Sequence, residues 1–234
     1  ILDHTWQYRT GASLLLDVSL QSPGFNDLIS RGNGLAYFPA RRVLYVQYTT
    51  QRLGAWEFEL RGNLYNEGLQ QEAKQFGVGA AYYASESLTL DGDLNFADSS
   101  GWLIWDEGNR FGAYAREQIN ASLNLNWFPA ERHEFRVKLQ WLGINAHGAQ
   151  AYRTDARGRF RASGEALPDF NITNIGLQLR YRWEFAPQSD LYVVYGRGGF
   201  VEETGQERDF GELLDTALEL RDSDQFLVKL RRRF

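Results

Sequence analysis

The chain has 234 residues, 43% of them hydrophobic and 15% aromatic, with no cysteine and a formal net charge of -5 at pH 7. This length fits one all-β domain over 1–234, the acidic balance argues against nucleic acid as a partner, and the missing cysteines remove disulfides and thiolate metal sites. Mean hydropathy is -0.46, and no run of about 18 apolar residues occurs, which excludes a transmembrane helix.

Alternation of apolar and polar residues with period two predicts strands near 8–20, 42–52, 55–66, 73–83, 87–97, 112–128, 132–146, 171–186, 189–200 and 225–234. In the third, Trp56, Phe58, Leu60 and Leu64 oppose Glu57, Glu59, Arg61 and Asn63. In the fourth, Gly77 and Gly79 precede no helix, so they are read as relieving crowding within a sheet and not as a phosphate loop. The fifth places Asp91 and Asp93 on its polar side. In the sixth, Ile119, Ala121, Leu123, Leu125 and Trp127 oppose Gln118, Asn120, Ser122, Asn124 and Asn126. The seventh sets Phe135, Val137, Leu139 and Trp141 against Glu134, Arg136, Lys138 and Gln140. The eighth sets Ile175, Leu177, Leu179, Tyr181, Trp183 and Phe185 against Asn174, Gln178, Arg180, Arg182 and Glu184. The tenth carries Phe226, Val228, Leu230 and Phe234 in one phase, with Lys229 and Arg231 in the other and Arg232 as an intruder on the apolar side.

Apolar stripes of about 10 residues suit tilted strands crossing a bilayer. Lipid cannot satisfy an open sheet edge, so the expected fold is an antiparallel transmembrane β-barrel with about 10 strands in this chain. The count is even, which places both ends of the chain on one side. Tight turns are expected at 52–54, 84–86, 129–132 and 187–189, and longer polar loops at 21–41, 67–72, 98–111, 147–170 and 201–224, the asymmetry between periplasmic turns and outer loops of such barrels.

The charged residues at alternate positions are the expected lumen face: Glu57, Glu59, Arg61, Asp91, Asp93, Glu134, Arg136, Lys138, Arg180, Arg182, Glu184, Lys229 and Arg231. Both signs at comparable depth predict pairing and a largely closed interior, or, in a wider barrel, a hydrated channel. The expected lipid face and aromatic girdle comprise Trp56, Phe58, Trp127, Phe135, Trp141, Tyr181, Trp183 and Phe185. In the 147–170 loop, Arg153, Arg157, Arg159 and Arg161 are basic and the last loop is strongly acidic, so the two are expected to pair across the barrel mouth. Within the acidic loop, Phe210, Leu213, Leu214, Ala217 and Leu220 follow helical spacing, which predicts a short amphipathic helix packed on a neighbouring loop, with pore plugging or partner binding as the alternative. Trp102, Leu103, Ile104 and Trp105 are expected to extend a hairpin beyond the membrane, with an aromatic ligand platform as the alternative.

Three histidines, His4, His133 and His147, form no ligand pair, so neither a metal nor any other cofactor is expected. Ten-stranded outer-membrane proteases group acids and a histidine at the outer rim; here His147 with Asp155, and Asp98 with Asp106, share loops without diagnostic spacing. The chain opens at Ile1 without the charged and apolar regions of a signal peptide, so such a segment is expected to have been removed or to lie outside this stretch.

Residues 101–141 (GWLIWDEGNRFGAYAREQINASLNLNWFPAERHEFRVKLQW), 174–195 (NIGLQLRYRWEFAPQSDLYVVY) and 22–28 (SPGFNDL) resemble the C-terminal barrel region of a bacterial outer-membrane family of undefined function. Its members commonly carry a carbohydrate-binding-like β-sandwich ahead of the barrel. The in-phase aromatic strand at the end of the chain resembles the C-terminal signal of outer-membrane barrels. These likenesses imply a Gram-negative outer membrane, contact with its lipid, the barrel assembly machinery as a partner through Phe226, Val228, Leu230 and Phe234, and other envelope proteins as further partners. They define no catalytic residue.

The expected function is therefore a non-catalytic channel or the membrane anchor of an envelope complex. The alternatives are a carbohydrate or polymer transporter, a rim-active protease or lipase, and a soluble barrel whose apolar stripes face inward around a ligand. Whether the strands close by themselves or form part of a larger barrel is open at this level.

Overall fold

The computed structural model describes residues 1–206 and 208–233. Fourteen strands and one helix succeed one another: β1 (Leu2–Gln7), β2 (Ser13–Gln21), β3 (Gly24–Asn26), β4 (Ala36–Phe38), β5 (Arg41–Thr49), β6 (Trp56–Glu67), β7 (Gln71–Ser85), β8 (Leu88–Trp105), β9 (Arg110–Ala130), β10 (His133–Thr154), β11 (Phe160–Ala162), β12 (Phe170–Ala186), β13 (Ser189–Thr204), α1 (Phe210–Glu219) and β14 (Ser223–Arg231). Eleven of the strands form one meander in the order β1-β2-β5-β6-β7-β8-β9-β10-β12-β13-β14, with β11 appended to β10, and β3 pairs with β4 as a separate hairpin. All pairings are antiparallel.

The expected strands are all present, and an eleventh, β1, precedes them. Its alternation over six residues is short and is interrupted by His4 on the side of Leu2 and Trp6, which is why the sequence pattern gave no strand before residue 8. The turn between them uses Gly11 at φ 96°, closed by Gly11 N–H donating to the Tyr8 carbonyl at 2.9 Å. An odd number of antiparallel strands corrects the expected placement of the chain ends. The first and eleventh strands run parallel, and the two ends of the meander lie at opposite ends of the sheet.

The sheet is also not closed: among the described residues β1 pairs only with β2 and β14 only with β13. What the structure establishes is an all-β, curled antiparallel sheet with two open edges. Among the described residues no helix is long and apolar enough to cross a membrane.

One end of the sheet has short turns, at 86–87, 131–132 and 187–188. Pro129 and Pro187 mark two of them, where a missing N–H costs no central ladder bond, and Gln188 takes the left-handed conformation at φ 58°. The other end carries the β3–β4 hairpin, β11 and α1. There β8, β9 and β10 run on together, with β9 and β10 reaching 21 and 22 residues. Trp102 to Trp105 thus extend the β8–β9 hairpin, as expected.

The curvature has a direction. Arg61 on β6 pairs with Asp93 on β8 across β7. Arg116 on β9 reaches the Tyr65 hydroxyl and the Glu67 carboxylate of β6, each at 3.3 Å, with two strands between. Strands about 4.8 Å apart would put β6 and β9 about 14 Å apart on a flat sheet, so the sheet curls towards its charged side. The β3–β4 hairpin spans the same curve. Tyr37 N–H donates to the Gly158 carbonyl at 2.8 Å, Arg31 lies 4.8 Å over the Trp105 ring, and Phe38 meets Phe160, which meets Phe111.

Candidate functional site

The concave wall carries all thirteen charged residues expected on one face, because register keeps them in phase from strand to strand. Glu57 and Glu59 on β6 pair with Ala81 and Gly79 of β7, which in turn pair with Asp91 and Asp93 of β8. Gly77 makes room between them: a Cβ there would collide with Asn95 and with the Arg61 guanidinium. Arg61 therefore crosses β7 to Asp93 and also lies 3.3 Å from Glu59. Gln47 donates to Glu59 at 2.7 Å and Asn124 to Asp91 at 2.9 Å. Asp3 and Asp17, facing each other on β1 and β2, lie on the same side. From β1 to β8 the mid-wall is an acidic sector around a single arginine.

On β9 the same face presents Gln118, Asn120, Ser122, Asn124 and Asn126, all neutral. A cavity of about 330 Å³ lies along this seam, where Asp93, Asn120, Ser122, Gln140 and Asn174 supply the polar lining.

From β10 to β14 the sign reverses. Arg136 on β10 stands directly opposite Arg180 on β12, and the Glu134 carboxylate lies among Arg136, Arg180 at 4.0 Å and Arg182 at 3.7 Å. Arg182 donates to Asp190 at 2.8 Å, and Arg231 pairs with the other oxygen of Asp190. Arg180 also lies 5.5 Å over the Tyr192 ring.

Depth separates two of the three carboxylates from the arginines, while the third, Glu184, lies 3.9 Å from Arg182 and is 34% exposed like it. The side chains of Glu134 and Asp190 are 7% and 0% exposed, against 42%, 36%, 34% and 56% for Arg136, Arg180, Arg182 and Arg231. Lys138 and Lys229 are exposed. Both signs occur at one level along the strands, Glu134 standing opposite Arg182 and Asp190 opposite Arg231, and the excess of each sign sorts by sector.

At the loop end of the concave wall, Tyr114 and Phe170 meet edge to face at 5.0 Å, Trp102 lies 6.2 Å from Phe170, and Arg116 lies 5.1 Å over Trp102. The hairpin residue Trp102 therefore belongs to an aromatic cluster that joins β8, β9 and β12.

The convex face holds the apolar stripes, and burial is inverted relative to a water-soluble sheet. Trp56, Phe58, Leu60 and Leu64 are 39–58% exposed, while the side chains of Glu59 and Arg61 on the opposite face are 30% and 22% exposed. Aromatic residues gather at the turn end: Trp56 stacks on Phe58 and lies tilted against Tyr82, His133 stacks on Trp183 and Tyr181, and Trp183 meets Phe185 edge to face. Trp127 is exposed and Phe135 half-buried, in register with one another on this face. Phe226, Val228 and Leu230 are in phase on β14, Arg232 follows the end of that strand, and Phe234 lies outside the described residues.

Trp141 is the exception on that face, being 8% exposed under α1. The helix packs Leu213 and Ala217 on Ile119, Trp141 and Ile175, so it rests on the strand wall and not on a neighbouring loop as expected. Its start is a capping box, with Asp209 accepting from Glu212 N–H at 2.9 Å and Glu212 accepting from Asp209 N–H at 3.2 Å. Polar residues of the convex face bind its backbone. Thr173 Oγ1 donates to the Leu213 carbonyl at 3.0 Å and accepts from Trp141 Nε1 at 3.0 Å. Asn145 donates to the Arg208 carbonyl and Arg197 to the Leu220 carbonyl, each at 2.9 Å. Gly199 admits Leu220 where a Cβ would collide. Sequence reading passed over Asn145, Thr173 and Arg197, although the available signal was polar residues breaking the apolar phase on three neighbouring strands.

The two charged loops do not pair with each other among the described residues. Arg153 and Arg110 pair with Glu165, Arg161 with Asp155, and Arg208 with Glu203. Asp155 accepts from the N–H groups of Arg159 and Arg157, which hold its carboxyl below the usual range. The Arg153 guanidinium does the same for Glu165. His147 lies at a cleft with Glu117, Asp169, Arg208 and Asp209, apart from Asp155. Asp98 pairs with Lys74 and Asp106 with Arg110. Among the described residues no group of His and acids could hold a metal.

A family model matches residues 33–232, which span β4 to the end of β14. The chain belongs to the DUF5916 family. That family is described as a domain of unknown function. Among solved structures, this DUF5916 chain is similar to the alcaligin outer-membrane receptor FauA from Bordetella pertussis, with 14% identity, a TM-score of 0.49, and coverage of 96% of this chain and 36% of that one. It is also similar to the ferric citrate transporter FecA in its unliganded form, with 12% identity, a TM-score of 0.48 and the same two coverages. The chain thus spans just over a third of either structure's length. No curated protein matches the sequence at a significant level.

Proposed function

We propose that this DUF5916 chain is an arc of an outer-membrane β-barrel of a Gram-negative bacterium that conducts solutes, with its convex face in lipid and its concave face lining the lumen. The inverted burial carries this reading. Leaving Leu, Phe and Trp more open than Glu and Arg on alternate residues is unfavourable in water and favourable when the convex side meets hydrocarbon. The turn-side half of each long strand would cross the bilayer, with the aromatic residues at the turns as one girdle, and the loop-side halves would project beyond it. The in-phase aromatic edge of β14 is the feature that barrel assembly machinery would engage. No catalytic step belongs to this function.

The open edges favour a larger barrel over self-closure. Because β1 and β14 run parallel, joining them directly would put one parallel seam in an otherwise antiparallel sheet. Joining two copies around a common axis would create two such seams. An odd number of further strands between the edges restores antiparallel pairing throughout, and it widens the lumen to the size at which carbohydrate or polymer transport is a reasonable second function.

The intact mass of the native polypeptide, extracted in detergent, tests the larger barrel: a mass well above 26.9 kDa is expected, and a native mass at that value would overturn it. The full-length protein should need detergent to remain monodisperse and should conduct when added to planar bilayers. Monodispersity in plain buffer would instead support the soluble ligand-binding barrel, and silence in bilayers would leave the membrane anchor as the function.

A further inference from the structure

We propose that the β10–β14 wall is a binding track for oxyanions, meaning solutes that carry phosphate, sulfate or carboxylate groups; this deepens the channel reading and rests on it. Six cations, Arg136, Lys138, Arg180, Arg182, Lys229 and Arg231, form a band across three of the four strands of this wall. On each of β10, β12 and β14 two of them are two residues apart, a spacing of about 7 Å along the strand.

Three observations separate this band from an ordinary paired surface. Arg136 and Arg180 are direct cross-strand partners, an arrangement of like charges that destabilises a sheet unless something compensates. The compensation comes from beneath: Glu134 and Asp190 are buried at the floor, where they orient the guanidiniums while the heads of the arginines stay open to the lumen. Lys138 and Lys229 have no ion pair among the described residues and are exposed. Glu184 is a third carboxylate of this wall, at the level of the guanidiniums and 3.9 Å from Arg182, so six cations against three carboxylates leave the wall net positive towards a passing solute. Guanidinium forks match the paired oxygens of phosphate and carboxylate, and the neutral amides of β9 keep the acidic sector from lying alongside.

The test uses the full-length protein in planar bilayers, with inorganic phosphate added to chloride electrolyte as the probe. Phosphate should reduce the current at millimolar concentration, and Lys138→Gln combined with Arg180→Gln should weaken that block about tenfold, on the scale of losing two partly exposed charge-assisted contacts. Both substitutions leave Glu134 with Arg136 and Arg182, so the floor stays paired. Lys74→Gln, which removes a cation from outside the concave wall, should leave the block unchanged. Equal block in the double variant, or equal weakening by Lys74→Gln, would overturn the track.

Broadening of the phosphate ³¹P resonance by the detergent-solubilised protein reads the same site without any current. Broadening that the double variant abolishes, in a protein that does not conduct, would retain the track and remove the channel. No broadening and no block would remove the track. Polyphosphate separates the two sources of the oxyanion. Block at far lower concentration than phosphate means a chain lies along several cations at once, and block at similar concentration means that single small anions are taken.

Discussion

The two charged sectors of the concave wall use the same ingredients in opposite order. Around Arg61, carboxylates crowd a half-buried cation, and Gly77 clears the space through which the guanidinium crosses a strand. Around Glu134 and Asp190, cations crowd buried carboxylates, with no glycine between Arg136 and Arg180. The first sector faces inward as an acid and the second as a base. The excess of one charge sets the sign of each sector, and in the second the burial of Glu134 and Asp190 leaves the arginines as the more open groups.

The largest expected effect falls on the floor itself. Glu134→Ala leaves Arg136 and Arg180 facing each other with no carboxylate between them, Arg182 keeping Asp190, and it should lower stability by about 3 kcal/mol, as for a buried pair that loses one partner. The denaturant midpoint of the lipid-refolded protein measures it, and an unchanged midpoint would mean that the floor is not needed. Next comes Gly77→Val, which blocks the crossing of Arg61. A cost of about 2 kcal/mol is expected from overpacking, and the same substitution at Gly176, where a Cβ meets nothing within 4 Å, should cost far less. Similar losses at both sites would show that the effect is general strand strain.

Smaller effects are expected outside the wall. Thr173→Val removes the hydroxyl shared by Trp141 and the Leu213 carbonyl and should loosen α1 by about 1 kcal/mol, seen as faster proteolysis within 205–222 while the sheet stays intact. Asp209→Ala removes the N-cap and should act in the same way with similar size. The smallest effect is a response to acid. Asp155 and Glu165 have pKa values below their ordinary ones, so the loop stability they supply is present above the ordinary carboxylate value, about 4, and is lost as pH falls through their lowered values. The protection factors at 155–165, which correct for the slower intrinsic exchange in acid, should therefore fall between about pH 5 and about pH 3, whereas protection factors that stay constant would show that these carboxylates do not hold the loop.

Much of the fold was legible in the sequence because a strand writes its two environments on alternate residues. Trp56 to Leu64, Gln118 to Trp127 and Glu134 to Trp141 each gave their strand, its phase and its exposed side without any long-range information. The amphipathic spacing from Phe210 to Leu220 gave α1 for the same reason with a different period. β1 escaped because six residues with His4 among the apolar ones carry too little pattern. The seat of α1 escaped because Asn145, Thr173 and Arg197 come from three strands, and only pairing brings them onto one patch of the convex face.

The sequence by itself determined which residues share a face, since alternation is a property of the local backbone. Only the tertiary structure decided which charges meet. Curvature brings Arg61 to Asp93 and Arg116 to Glu67 across intervening strands, and register sets Arg136 against Arg180 over Glu134. It also left the edges of β1 and β14 open and parallel, because the direction of a strand at the end of a meander depends on how many strands precede it, and no single strand records that number.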